Sequence, residues 1–373
     1  MAGSHFTRPH TTTSSSSSSL CNQSRPATPT FDIQLVTHKM SKEDDNTTRQ
    51  ALLRASKPPP NDLFATLITA NHILHYHNVV DAYGHISVRS PQDPTTFYLS
   101  RSLAPALVSS RADIEHYNIS DASPVSTDSS TAPKGYVERF IHSEIYKKYP
   151  GVHSVVHSHA EAVLPFSISS TPLRPVFHMG GVMGGSPAVP VWDIAAHYKG
   201  SADEVQALLV GNEQLGAALA AGFNAAPPDP SSGMMAKGVA KGYNIVKGLV
   251  TKQDSDFPSS PTVLMRGHGF TCVGTRIEEA VYRAVYTATN ARVQTTALLM
   301  QGTFNLGLVA EGLAGKKGEE GEAKGLKVEE IRYLSERECG DSWKALSANA
   351  ERPWKLWCEE VKVGGLYRNE LLE

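Results

Sequence analysis

A change in residue pattern at Asn61 constrains the fold of this 373-residue chain more than any other feature of the sequence. Residues 1–60 contain six consecutive serines, Ser14 to Ser19, three consecutive prolines near their end, and little periodic apolar content. Such a segment buries too little apolar surface to offset the entropy lost on ordering, so it predicts a disordered tail. From Asn61 onward, apolar residues recur at helical spacing and predict a first amphipathic helix.

Short β-type runs and longer helical patterns follow this first helix. The spacing predicts strands over 85–89, 96–99, 152–159 and 262–265. It predicts helices over 138–148 and 277–300. Two segments rich in glycine, proline and charged residues interrupt the pattern. We therefore expect one ordered domain over 61–305 with an insertion loop at 225–260, and a flexible loop plus a C-terminal helical extension over 306–373.

Composition narrows the range of partners. The net charge of −2 gives no electrostatic reason to expect nucleic acid or an anionic membrane surface. No apolar run approaches the roughly 18 residues that a membrane-spanning helix needs. The four cysteines form no CxxC pair, which argues against a cysteine zinc site or a disulfide framework and fits a reducing compartment. We expect a cytoplasmic protein that binds neither nucleic acid nor membrane.

The strongest local signal for chemistry is the motif His157-Ser158-His159 at the end of the valine-rich strand. Residues i and i+2 of a strand point to the same face, and the strand rise separates their Cα atoms by about 6–7 Å. Two imidazoles at this spacing can share one metal ion. Taken alone, the motif leaves open a structural alternative with one solvated and one packed histidine.

Two further motifs carry residue types that metal chemistry uses. His268 lies between Gly267 and Gly269 after a predicted strand, where the glycines allow a sharp turn and the close approach of a ligand. Glu138 begins a predicted helix, and near a metal such a carboxylate can be a ligand or a general acid/base. The structural alternatives are a turn histidine without a ligand and a carboxylate that interacts with the helix dipole.

Taken together, the three motifs resemble those of the class II aldolase/adducin family. The resemblance covers roughly residues 61–305, and its most specific stretch runs from Tyr136 to Ala160, YVERFIHSEIYKKYPGVHSVVHSHA. It implies an α/β fold, a three-layer α/β/α sandwich with a central, mostly antiparallel sheet. It also implies a homotetramer with active sites between subunits.

The same resemblance implies a cofactor and a set of ligands. Each subunit would hold one divalent metal ion, Zn²⁺ by the usage of the family, with Mn²⁺ or Co²⁺ as alternatives. The metal ligands carried over from the family are His157, His159 and His268. The family glutamate corresponds to Glu138, which would act as the catalytic acid/base and can also touch the metal.

The chain departs from the sugar-phosphate members of the family where those members bind phosphate. His85 replaces the asparagine of a Gly-Asn turn, Arg101 stands in the second phosphate loop, and Tyr136-Val137 replaces a Ser-Ser pair. An arginine pairs bidentately with a carboxylate, and a tyrosine suits a flat ring. We therefore expect a small carboxylated substrate bound by Arg101, His85 and Tyr136.

This combination resembles the branch of the family that decarboxylates aromatic acids of the dihydroxyphthalate type. The likeness extends through Arg174 to Met179, where His178 would act on the substrate or serve a structural role. The predicted function is a metal-dependent lyase of aromatic compound metabolism that decarboxylates a catechol-type acid. Two alternatives stay open: an aldolase acting on a non-phosphorylated hydroxy or keto acid, and a non-catalytic, adducin-like binding protein.

Overall fold

The structure is a computed structural model. It describes residues 60–125, 135–184, 188–201, 205–225, 255–314 and 329–373. The predicted disordered tail, apart from its last residue, lies outside the described residues, as do residues 226–254 of the predicted insertion.

One mixed sheet forms the centre of the fold. Its strands are β1 (His85–Arg89), β2 (Thr96–Ser100), β3 (Ile114–Asn118), β4 (Ser154–Ser158), β5 (Val191–Trp192), β6 (Thr262–Met265) and β7 (Gly269–Gly274). They lie in the order β3-β2-β1-β4-β7-β6-β5. Every neighbouring pair is antiparallel except β5 and β6, which are parallel. The predicted, mostly antiparallel sheet is confirmed.

Helices cover both faces of this sheet. They are α1 (Pro60–Tyr76), α2 (Arg139–Lys148), α3 (Leu164–Ile168), α4 (Glu213–Gly222), α5 (Ile277–Ala314), α6 (Glu336–Ser347) and α7 (Glu351–Lys362). One hydrophobic cluster joins α1 and α5 to the sheet, and a second joins α2 and α4 to the opposite face. The two clusters define the predicted three-layer α/β/α arrangement. None of the helices in the described ranges is long and apolar enough to cross a membrane.

The alternation of side chains along β4 decides which layer receives the histidines. Val156 packs into the cluster under α1 and α5, whereas Val155 packs into the cluster under α2 and α4. Because strand side chains alternate, His157 points to the same face as Val155. On the neighbouring strand β1, His85 pairs directly with His157 and shares that face.

The long helix extends further than its sequence pattern indicates. It was expected to end at Met300, but α5 continues to Ala314, so the predicted domain boundary at 305 falls inside a helix. The helix thus includes residues 306–314, the first part of the segment for which a flexible loop and a helical extension are predicted. Once a helix is nucleated and held by its buried first half, each added residue costs little, and isolated glycines such as Gly302 weaken the helix without ending it. Residues 315–328 lie outside the described part of the chain.

Candidate metal centre

Four side chains with metal-binding groups converge at one end of the sheet. These four, called here the four-ligand cluster, are Glu138, His157, His159 and His268. The histidines come from the end of β4 and from the turn that precedes β7. The glutamate stands at the N-cap of α2, on the same face of the sheet.

A glycine allows the two strand ends to approach each other. Gly269 has a φ of +153°, and a Cβ at this position would overlap the backbone carbonyl of Ser158. Only a residue without a side chain therefore fits between β7 and β4 here. This close approach brings His268 beside His157 and His159, with ring centroids 4.8 and 5.0 Å away.

The distances within the cluster fit a single divalent ion. All the ligand atoms lie within 4.8 Å of one another. The Nε2 atoms of His157 and His159 are 3.0 Å apart. Oε2 of Glu138 lies 3.7 Å from Nε2 of His157 and 3.5 Å from Nε2 of His268. Tetrahedral zinc with bonds of about 2.0–2.1 Å separates its ligand atoms by about 3.3–3.4 Å, and the observed separations bracket this value.

The surroundings of His157 keep it in the form that binds metal. The residue is fully buried, and burial, with the nearby His268 and His85, lowers its pKa well below the ordinary value. A neutral imidazole has the lone pair that a metal requires. Glu138 is also buried, and its Oε1 accepts a hydrogen bond of 2.9 Å from the backbone N–H of Val210. Its other oxygen, Oε2, is left facing the histidines.

Asp81 is a member of this site that sequence reasoning missed. Its Oδ2 accepts a hydrogen bond of 3.3 Å from Nδ1 of His159, while its Oδ1 accepts from the backbone N–H groups of Tyr83 and Gly84. Burial alone would raise the pKa of Asp81, but these backbone donors, together with His159, hold it below its ordinary value. Carboxylates commonly orient metal-binding histidines in this way. The sequence signal that could have identified Asp81 is its position in the turn before β1, four residues ahead of His85.

Two of the three predicted substrate residues lie next to the cluster. The buried ring of His85 lies 5.1 Å from that of His157 and 4.6 Å from that of Tyr136, measured between centroids. The hydroxyl of Tyr136 donates a hydrogen bond of 2.5 Å to the backbone carbonyl of Leu103. The predicted roles of both residues stay predictions, but their rings form one wall beside the candidate metal ligands.

The third predicted substrate residue, Arg101, and the predicted catalytic residue His178 lie in different surroundings. Arg101 follows β2, and its Nε lies 3.5 Å from Oε2 of Glu115, with 34% of the arginine side chain exposed. His178 is an exposed residue at the start of a 3₁₀ turn, and its ring centroid lies 5.8 Å from that of Phe177. Within the described residues, no hydrogen bond or ring contact joins His178 to the four-ligand cluster. The structure thus does not bring it into the candidate site.

The fold and this cluster define a known class of protein. Residues 65–295, more than half of the chain, match the Class II Aldolase and Adducin N-terminal domain, and the chain belongs to this family. Over 304 residues it is 44% identical to Decarboxylase tropJ of Talaromyces stipitatus, a match that covers 82% of this chain and 96% of that protein. The predicted family and its decarboxylase branch are confirmed.

Solved structures support the same fold at low sequence identity. An L-fuculose 1-phosphate aldolase from Glaciozyma antarctica superposes with a TM-score of 0.51 at 17% identity, covering 85% of this chain and 99% of that one. An aldolase II superfamily protein from Pseudomonas syringae gives a TM-score of 0.51 at 15% identity, covering 85% and 98%. At these identities the likeness concerns the fold alone.

Proposed function

We propose that this protein is a divalent-metal-dependent lyase that decarboxylates a hydroxylated aromatic acid of the catechol type. Membership of the class II aldolase family and the 44% identity to a protein named as a decarboxylase support a lyase that breaks carbon–carbon bonds. The single observation that carries the proposal is the convergence of three imidazoles and one carboxylate within 4.8 Å. The presence of all three histidines favours an enzyme over a binding protein without catalysis.

The donor set suits one divalent ion, with Zn²⁺ first and Mn²⁺ or Co²⁺ as alternatives. His157, His159 and His268 would hold the ion. When bound, it supplies Lewis-acid stabilisation for the electron pair that remains when the carbon–carbon bond breaks. The buried imidazole of His157 contributes a neutral ligand at physiological pH because burial lowers its pKa.

Glu138 is the proposed proton donor. Loss of carbon dioxide from a substrate carboxylate leaves an electron pair on the ring carbon, and this carbon must gain a proton. The hydrogen bond from Val210 N–H fixes Oε1 of Glu138, so Oε2, which faces the histidines, is the oxygen that carries the transferred proton. Glu138 then regains a proton from water, which balances the reaction.

The proposed substrate-binding residues are those predicted from the sequence. Arg101 is a third exposed and pairs with Glu115 at 3.5 Å, so part of its guanidinium fork remains available for a substrate carboxylate. The rings of His85 and Tyr136 form a wall suited to a flat ring. The role proposed for His178 stays a prediction, because its exposed ring has no contact with the cluster among the described residues.

The test combines elemental analysis with product detection. We expect about one metal ion per chain in the purified protein, loss of that ion in His157→Ala, and carbon dioxide release from one member of a panel of catechol carboxylates. His116→Ala is the matched control, since His116 lies on β3 away from the cluster, and it should retain both metal and activity. Release of an aldehyde without carbon dioxide would overturn the proposed decarboxylase activity and favour the aldolase activity instead.

Two measurements test the remaining parts of the proposal. Arg101→Ala should weaken binding of the carboxylated compound far more than binding of its decarboxylated product, because only the former presents a carboxylate to the guanidinium. Equal losses for both compounds would remove Arg101 from the binding site.

We further infer a homotetramer from family membership, and sedimentation analysis of the purified protein would test this oligomeric state. The cytoplasmic location is inferred from the unpaired spacing of the four cysteines, which fits a reducing compartment.

A further inference from the structure

A buried chain of hydrogen bonds leads from His85 away from the four-ligand cluster. Nδ1 of His85 lies 2.7 Å from Nε2 of His142. Nδ1 of His142 lies 2.6 Å from Oγ of Ser87, and this Oγ lies 2.7 Å from the hydroxyl oxygen of Tyr146. All four side chains are buried.

The protons along this chain can be ordered in two ways. Burial lowers the pKa of His142 to about 3, so this imidazole is neutral and carries one N–H. In the first order, Tyr146 donates to Ser87, Ser87 donates to His142, and Nε2–H of His142 donates to Nδ1 of His85. In the second order, each of these donations is reversed. The two orders leave opposite tautomers of His85.

Hydrogen-bond satisfaction decides between the two orders. Among the described residues, Oγ of Ser87 is the acceptor within reach of the Tyr146 hydroxyl, at 2.7 Å. The second order would leave the buried phenolic hydrogen of Tyr146 with no acceptor. The first order satisfies every group from Tyr146 to Nδ1 of His85. An unmade hydrogen bond in a buried site is unfavourable, so the first order is preferred.

The remaining hydrogen of the chain is then on Nε2 of His85. This atom is buried and has no hydrogen-bond partner in the described part of the chain. Because Nδ1 is bonded to His142, Nε2 lies on the opposite edge of the ring. That ring lies next to those of His157 and Tyr136, beside the place where the candidate metal ligands converge.

We propose that Tyr146, Ser87 and His142 are positioning residues that fix His85 as the Nε2–H tautomer, so that His85 donates a hydrogen bond to a substrate oxygen at the cluster. The proposal rests on the proposed function, since it requires an oxygen-bearing substrate at this place. A carboxylate, phenolate or enolate oxygen satisfies the donor. A site with a fixed donor rejects analogues that lack the oxygen, because its own buried group is then left unpaired.

Two substitutions of His85 separate the roles of its ring nitrogens. The amide nitrogen of glutamine in His85→Gln can replace Nε2, whereas that of asparagine in His85→Asn reaches only the position of Nδ1. With 2,3-dihydroxybenzoate as the probe and calorimetry on the zinc-loaded protein, we expect His85→Asn to weaken binding at least tenfold. His85→Gln should weaken it by less than about threefold. Equal losses in the two variants would overturn the donor role.

The positioning residues are tested away from the cluster. Tyr146→Phe removes the group that sets the direction of the chain, and we expect a three- to tenfold loss of probe affinity. Tyr149→Phe is the matched control, because Tyr149 is a buried tyrosine near the end of the same helix whose hydroxyl donates to the backbone of Ala220 instead. It should leave probe affinity unchanged. The same loss in both variants would indicate a structural effect and overturn the positioning role.

Neutron diffraction of deuterium-exchanged crystals tests the tautomer without any substitution. We expect deuterium on Nε2 of His85 and none on its Nδ1. Deuterium on Nδ1 with a bare Nε2 would overturn the inference and make His85 an acceptor or a further metal ligand. If Nε2 carries deuterium but no catechol carboxylate is decarboxylated, the proposed function fails while the tautomer stands. If carbon dioxide is released and His85→Asn binds the probe normally, the inference alone fails.

Discussion

Replacing Asp81 with asparagine isolates the support that this carboxylate gives to the candidate ligand His159. Oδ1 of Asp81 accepts from the backbone N–H groups of Tyr83 and Gly84 at 2.8 and 2.9 Å. Asparagine keeps a carbonyl oxygen for these two bonds, so the turn before β1 is retained. Its amide NH₂ would face Nδ1 of His159, where it cannot accept a hydrogen bond. The variant therefore removes the orienting acceptor and the negative charge together.

The size of the effect follows from the geometry of the contact. Loss of an outer partner of a metal-binding histidine typically costs about 10–100-fold in metal affinity. The contact with Asp81 is long, at 3.3 Å, and the aspartate side chain is 52% exposed, so solvent screens its charge. We place the loss at the lower end, about tenfold in the zinc dissociation constant, or about 1.4 kcal/mol.

Competition with a chromophoric zinc chelator at neutral pH measures this change. Asp93→Asn is the control, because Oδ1 of Asp93 accepts from the backbone N–H of Thr95 in a similar turn without contacting a member of the four-ligand cluster. Its zinc affinity should stay within about twofold of the unsubstituted protein. Unchanged zinc affinity in Asp81→Asn would refute the reasoning. Complete loss of zinc would instead make Asp81 a metal ligand.

Two further predictions concern stability. Burial lowers the pKa of His72 to about 4 and that of His142 to about 3, so the unfolded chain gains their protons first as the pH falls below about 6.5. These two histidines alone contribute a loss of about 4 kcal/mol between pH 7.5 and pH 5. Burial also lowers the pKa of His85 and His157, so urea unfolding of the metal-free protein should show a loss of at least about 4 kcal/mol. A stability that does not change with pH would contradict this prediction. Gly269→Ala should cost about 3 kcal/mol because its Cβ overlaps the backbone of Ser158. Gly267→Ala, with a φ of +66° but no atom closer to its Cβ than 3.6 Å, should cost about 1 kcal/mol in the same assay.

The elements of the fold were predictable where apolar residues form a recognisable run or spacing. The valine-rich run before His157 predicted β4, because β-branched residues favour strands. The helical spacing after Asn61 predicted α1, because burial of a helix face imposes a period of about 3.6 residues. The end of α5 was not predictable in this way. Residues 299–310 of this helix are largely exposed, so no buried face marks how far the helix continues.

The candidate site was predictable only where its residues form local motifs. The His-x-His spacing places His157 and His159 together because both belong to one strand end. The contact between Asp81 and His159 joins residues 78 positions apart, and that between His85 and His142 joins residues 57 apart. Such contacts depend on strand order and on the packing of α2 against the sheet, which periodicity does not specify.

The proposed function is tested most directly by removing the metal with a chelator and titrating the metal-free protein with Zn²⁺. Carbon dioxide release from a catechol carboxylate is recorded during the titration. We expect no turnover without metal, a rate that rises linearly with added zinc, and a break at one equivalent per chain. The metal-free His157→Ala variant, titrated with Zn²⁺ in parallel, should stay inactive throughout. Undiminished carbon dioxide release from protein without any bound metal would contradict the metal-dependent mechanism. Full metal occupancy without carbon dioxide from any member of the panel would contradict the decarboxylase.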